Sequence, residues 1–130
     1  MACNTGPQVI RVGKDNCNFC KMAIGSNRYG AEIISVKGKI FKYDELHCLL
    51  KDISSETISK ANIKEIYFTD FCGQHNLINC EEAYFLSSDK LMSPMGGNIA
   101  AFKSQDSLLL VQKKYMGNQI LWNEIYTNLK

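Results

Sequence analysis

The stretch Tyr29-Gly-Ala-Glu-Ile-Ile-Ser-Val36, Lys37-Gly38, Lys39-Ile-Phe-Lys-Tyr43, followed by Asp44-Glu-Leu46-His-Cys-Leu49-Leu50-Lys-Asp-Ile53, decides how the chain folds. A β-branched run meets a glycine-bearing turn and continues into a second apolar run, which is the grammar of a hairpin. The period then changes. Leu46, Leu49, Leu50 and Ile53 recur at i, i+3, i+4 and i+7, which predicts a helix with one apolar stripe, and Asp44 and Glu45 fall where a first turn favours carboxylates. A third strand is predicted over Ile63 to Thr69.

The same order returns in the second half. Gly97-Asn-Ile-Ala-Ala-Phe102 aligns with Gly38-Lys-Ile-Phe-Lys-Tyr43 at an offset of 59 positions. Around it, Glu82 to Ser87 reads as a strand and Met92-Ser-Pro94-Met95-Gly96-Gly97 as a loop. Ile99 to Phe102 reads as the partner strand. A helix capped by Ser104 follows, with Leu108, Leu109, Val111 and Tyr115 behind it. A short strand over Gln119 to Leu121 closes the unit, and Trp122, Ile125, Tyr126 and Leu129 mark a final helix that covers the core. The expected architecture is therefore α+β, with two homologous β-β-α-β units, residues 15–70 and 80–130, packed into one compact protein. Residues 1–14 read as a flexible tail, and Ser54 to Asn62 and Asp70 to Asn79 as polar connections.

Composition fits a packed domain. With 45% hydrophobic and 22% charged residues the chain resembles a globular protein and not a disordered one. A net charge of +2 on dispersed lysines lacks the concentrated basic stripe of a nucleic-acid binder. No apolar run reaches the ~18 residues a membrane-spanning helix needs. Neither a Ser-His-Asp order nor a phosphate loop is present, so catalysis has no support and the chain reads as a non-enzyme.

The chemistry concentrates in Asp15-Asn-Cys17-Asn-Phe-Cys20-Lys-Met22. Two thiols and a thioether at this density suit a soft ion, because thiolate and thioether select Cu(I) whereas Zn²⁺ seldom uses methionine. If Cys20-Lys-Met22 is extended, both sulfurs lie on one face and Lys21 points away. Lys14, Lys21 and Arg28 flank the motif and would lower the Cys20 pKa. Met95, in a proline- and glycine-containing loop, is poorly placed as a core residue and better suited to ligation or docking. Cys48, between Leu46 and Leu49, reads as a small buried hydrophobe, and His47 as a surface or core histidine. Met1-Ala-Cys3 followed by a polar stretch resembles the end of a lipoprotein signal, which makes Cys3 the candidate lipid-attachment residue.

Two rival chemistries share these residues. Cys17-x-x-Cys20 with Cys72-Gly-Gln-His75 has ligand spacing for a structural Zn²⁺, giving a zinc-stabilised binding domain on Cys17, Cys20, Cys72 and His75. Thiol-disulfide exchange through Cys17 and Cys20 is disfavoured, since redox pairs of this spacing open a helix and this segment reads as extended. Disulfides between Cys17 and Cys20, or Cys72 and Cys80, stay open.

The order Cys17-x-x-Cys20-x-Met22, Arg28-Tyr-Gly-Ala31, Gly38 to Asp44, Pro94-Met95-Gly96 and Ile99-Ala-Ala-Phe102 resembles the NosL family of copper-chaperone lipoproteins, over nearly the whole chain. That resemblance implies a Cu(I)-binding protein anchored by lipid on Cys3 at the periplasmic side of a bacterial membrane. Cargo would pass, with a NosDFY-type membrane transporter complex, to nitrous oxide reductase. Matched residue by residue, Cys20 and Met22 correspond to the family's Cys-x-Met copper ligands and Met95 to its Pro-Met-Gly methionine. Cys17 would be an extra ligand, a disulfide partner of Cys20 or a feature of one branch. Met95 or Cys17 would complete the site.

Overall fold

The computed structural model describes residues 6–127. Strands β1 (Ala31–Ser35) and β2 (Ile40–Tyr43) form the expected antiparallel hairpin, with Ala31 opposite Tyr43 and Ile34 opposite Ile40. Gly38 makes the turn at φ +90°, a left-handed conformation that glycine adopts without steric cost. Helix α1 (Leu46–Ser54) buries Leu46, Cys48, Leu49, Asp52 and Ile53. Strand β3 (Ile63–Thr69) then returns antiparallel to the other side of β1.

The second half carries a sheet of its own. Strand β5 (Tyr84–Ser87) pairs with β6 (Ile99–Phe102), α2 (Gln105–Tyr115) follows, and β7 (Asn118–Ile120) pairs back on β5 before α3 (Trp122–Thr127). The Ser104 hydroxyl caps α2 by accepting from the Ser107 N–H at 3.1 Å. The protein is α+β, with sheet orders β2-β1-β3-β4 and β6-β5-β7, so each sheet carries its first strand in the middle.

One core joins the two halves. Ile33, Leu49 and Ile66 from the first pack in a single cluster with Phe85, Ala101 and Ile125 from the second. Phe68 meets Phe85 and Trp122 edge-on, each at 5.3 Å between centroids, and Trp122 stacks on Tyr126, so α3 covers the core as expected. The sheets also touch through the backbone, where the Phe71 N–H donates to the Ala101 carbonyl at 2.8 Å.

Several local expectations are corrected. The segment 70–79 contains a strand, β4 (Leu77–Asn79), which adds to the edge of β3 because Ile78 is apolar enough to be buried there. Helix α1 starts at Leu46, leaving Asp44 and Glu45 outside its first turn, and both are buried. In α2, Leu108 is fully buried but Leu109 is 45% exposed, because the helix lies on its sheet by a narrower face than the leucine run suggests. Of the stretch read as a tail, Gln8 and Val9 are tied to the first sheet: the Gln8 N–H donates to Glu32 Oε1, and Lys42 Nζ bridges the Val9 carbonyl and Asp15.

Candidate metal centre

Cys17 to Met22 form a closed turn. The Cys17 N–H donates to the Met22 carbonyl at 2.8 Å and the Lys21 N–H to the Cys17 carbonyl at 2.9 Å, with Lys21 at φ +69°. A residue in that left-handed region breaks any strand, so the expectation of an extended Cys20-Lys-Met22 is corrected, and alternation does not decide where the Met22 thioether points. Met22 is 64% exposed.

The turn is pinned to the first unit from two directions. Its Asn18 N–H donates to the Lys42 carbonyl on β2 at 2.7 Å, and the Asn18 side-chain amide donates to Asp52 on α1 at 2.8 Å. The same Asp52 oxygen accepts the buried Tyr43 hydroxyl at 2.8 Å. Asp52 lies one turn beyond Cys48, so the tether sets the cysteine turn against the face of α1 that carries a third thiol. The Sγ atoms of Cys17, Cys20 and Cys48 all lie within 4.8 Å of one another, the only such grouping of cysteine, histidine and carboxylate ligands among the described residues. Cys17 and Cys48 are fully buried and Cys20 is half-buried.

The three thiols are electrostatically unequal. Cys17 is lowered to about 5, chiefly by a hydrogen bond from the Cys48 thiol, against the opposing effect of burial, with help from the backbone N–H groups of Cys20, Asp44 and Phe19. Cys48, the donor in that bond, is pushed up, and burial raises Cys20, which keeps the Met22 N–H as a donor. The thiolate is therefore Cys17 and not Cys20, and the cause is hydrogen bonding, not the flanking lysines. Arg28 instead stacks over the Phe71 ring at 5.0 Å.

The remaining sequence candidates are dispersed. Cys72 packs against the aromatic cluster of Phe71 and Phe102, and His75 Nδ1 bonds the Asp70 carbonyl at 2.9 Å. Neither joins the cysteines in a ligand group among the described residues, which removes the geometric basis of the four-residue zinc site. All five described cysteines are free thiols, and Cys3 lies outside the described residues. Met95 is 41% exposed, in a loop held by Glu45. The sequence pattern places Cys48 in the core. Its place on the buried stripe of a helix was correct, but no periodicity says that two thiols of a distant turn pack against it.

A family model for NosL matches residues 10–129. The chain belongs to the NosL family. Among solved structures, the copper chaperone NosL from Shewanella denitrificans shares the fold of this NosL-family chain, with a TM-score of 0.78 at 18% identity over 92% of this chain and 95% of that one. No curated protein sequence matches. That relative is described as a copper chaperone, and membership of the NosL family together with the thiol trio supports metal binding by this chain.

Proposed function

We propose that this protein is a copper chaperone that binds one Cu(I) through Cys17, Cys20 and Cys48 and passes it on. The observation that carries the reading is the convergence of three sulfurs with no histidine or carboxylate in the group. A sulfur-only set of low coordination number suits Cu(I), whereas Zn²⁺ asks for four ligands and closed tetrahedral geometry. Cys17 offers a preformed thiolate, and metal binding displaces protons from the other thiols.

Met22 and Met95 correspond to the copper ligands of the family's Cys-x-Met and Pro-Met-Gly patterns, and we assign them as thioether ligands that exchange with the thiols as the ion enters and leaves. Their exposure, 64% and 41%, leaves them within reach of a partner. A ligand from outside enters a two- or three-coordinate site associatively, which allows transfer without release of free ion. By the same family likeness, lipid on Cys3 anchors the protein at the periplasmic side of the membrane, and a NosDFY-type transporter and nitrous oxide reductase receive the copper. The common strand order of the two sheets supports descent of both β-β-α-β units from one duplicated unit.

Titration of the reduced protein with Cu(I) against a competing chelator, repeated with Zn²⁺ and followed by X-ray absorption at the metal edge, tests this. One tight Cu(I) in a sulfur-only shell of two or three ligands is expected. Tight Zn²⁺ in a four-coordinate shell containing nitrogen, with weak Cu(I), would overturn it.

A further inference from the structure

Glu45 is buried to 1% exposure and no cation pairs with it among the described residues. It occupies the N-cap position of α1, yet its side chain makes no capping hydrogen bond to its own helix. The carboxylate reaches instead to the second unit. It accepts the Ser93 hydroxyl at 2.9 Å, the Met95 N–H, and the Gly97 N–H at 3.4 Å. The loop is also closed on itself, since the Asn98 N–H donates to Ser93 Oγ at 2.7 Å and the Ser93 N–H to Asn98 Oδ1 at 3.3 Å. Two N–H groups of one loop, those of Met95 and Gly97, therefore turn toward one anion, here a side chain of the same protein, while the Gly96 N–H between them donates to the Ser93 carbonyl. Gly97 is required for this approach: a Cβ there would lie 2.5 Å from Glu45 Oε1 and 2.9 Å from His47 Cβ.

Glu45 is the N-cap residue of α1 and Cys48 lies in that helix's first turn, so a loop held at Glu45 is held at the end of α1 that carries Cys48. We infer that Glu45 is a positioning residue for the copper site, holding the Met95 loop of the second unit onto the helix that carries Cys48, so that the thioether is stationed beside the thiols. This rests on the copper reading above and adds to it the device that brings the second unit to the ion. A docked loop presents Met95 pre-organised. An undocked one lowers the apparent affinity by the fraction of time the loop is away, so docking one-tenth of the time costs roughly tenfold.

The test uses Glu45→Gln, in which an amide N–H₂ faces the loop N–H groups, and Gly97→Ala, which expels the loop without altering charge. Met95→Leu and the Glu45→Gln/Met95→Leu double variant complete the set. Each is titrated with Cu(I) against a chelator, and the methionine methyl carbons are followed by NMR. We expect Glu45→Gln and Gly97→Ala each to weaken Cu(I) binding roughly tenfold and to diminish the shift of the Met95 methyl at the Cu(I) level that saturates the parent. The double variant should bind no more weakly than Met95→Leu alone. Parent-like affinity with an undiminished Met95 shift in both loop variants, or additive losses in the double variant, would overturn the inference. A parent protein that fails to bind Cu(I), or binds it independently of Cys48, overturns the copper reading itself and is recognised before any loop variant is made.

Discussion

Replacing Cys48 by alanine separates a packing role from a ligand role. The fold should lose little. The site is fully buried, and deleting one sulfur removes about the apolar volume of a methylene group, worth about 1 kcal/mol before relaxation. Against the roughly 5–15 kcal/mol that stabilises a small domain, the variant stays folded. The metal should lose far more. Outer partners of metal ligands cost about 10–100-fold in affinity, so loss of one of three converging sulfurs should exceed about 100-fold. A second effect follows from the thiol hydrogen bond. The Cys48 S–H is the largest influence holding Cys17 at about 5, so its removal moves Cys17 up toward the ordinary thiol value of 9.0. Since the folded value is depressed, Cys17 contributes stability that is fully present above the ordinary value and lost as pH falls through about 5. Cys48's own raised value acts only above the ordinary thiol range and does not offset this. The metal-free parent should therefore gain stability between about pH 5 and 9, and Cys48→Ala should gain less. Chelator competition measures the affinity, thermal melts across that range measure the slope, and ultraviolet thiolate absorbance follows Cys17 directly. Parent-like Cu(I) affinity in a folded Cys48→Ala protein would refute the three-thiol site.

Met22→Leu keeps the backbone N–H that faces Cys20 while removing the thioether, so chelator competition should show weaker Cu(I) binding with melting stability within about 0.5 kcal/mol of the parent. Asn18→Ala breaks the 2.8 Å tether to Asp52, a hydrogen bond to a charged group worth about 1.5–3 kcal/mol; denaturant melts should show that loss, and Cu(I) should pass faster to a chelator because the cysteine turn is no longer pinned to α1. Glu32, fully buried with one carboxylate oxygen unpartnered, is raised by burial to about 7. Stability from a raised acid is present below its unfolded value of 4.5 and lost as pH rises through about 7, so Glu32→Gln should stabilise the protein above that pH by roughly 1–3 kcal/mol and have little effect below 4.5. Melts of both proteins that stay parallel across pH would exclude it.

The elements visible in the sequence are those set by local chemistry. The Gly38 turn, the Leu46 to Ile53 stripe and the Ser104 cap each depend on neighbours within a few residues, and each was found close to where periodicity and turn rules placed it. The site depends on contacts across the chain. Asn18 meets Asp52 only because β2 and α1 bring them together, and that contact puts Cys48 beside the cysteine turn. Glu45 carries an acidic residue's usual helix-start signature, but its real partners are some fifty positions away in a loop whose glycine permits the approach. Strand alternation does not carry through Cys20-Lys-Met22, because Lys21 sits in the left-handed region. Strand β4 was missed since three residues in a polar segment carry too short a pattern to register.

The unequal environments of the three thiols would give the proposed copper site a direction. Cys17 receives three backbone N–H groups and the Cys48 thiol, and both of these residues are fully buried. Cys20 has one backbone donor and is the member that meets solvent, with Phe19 and Met22 exposed beside it. A hydrogen-bonded, buried thiolate is the firmest anchor for the ion because its charge is stabilised before metal arrives. The half-buried thiol, with fewer donors, is the weaker hold and the one an incoming ligand can reach. On the proposed copper reading, entry and exit both run past Cys20, and a partner that displaced it would meet an ion still held at the Cys17 and Cys48 end. A site of three equally buried thiols would have to open the core before it could give up its metal.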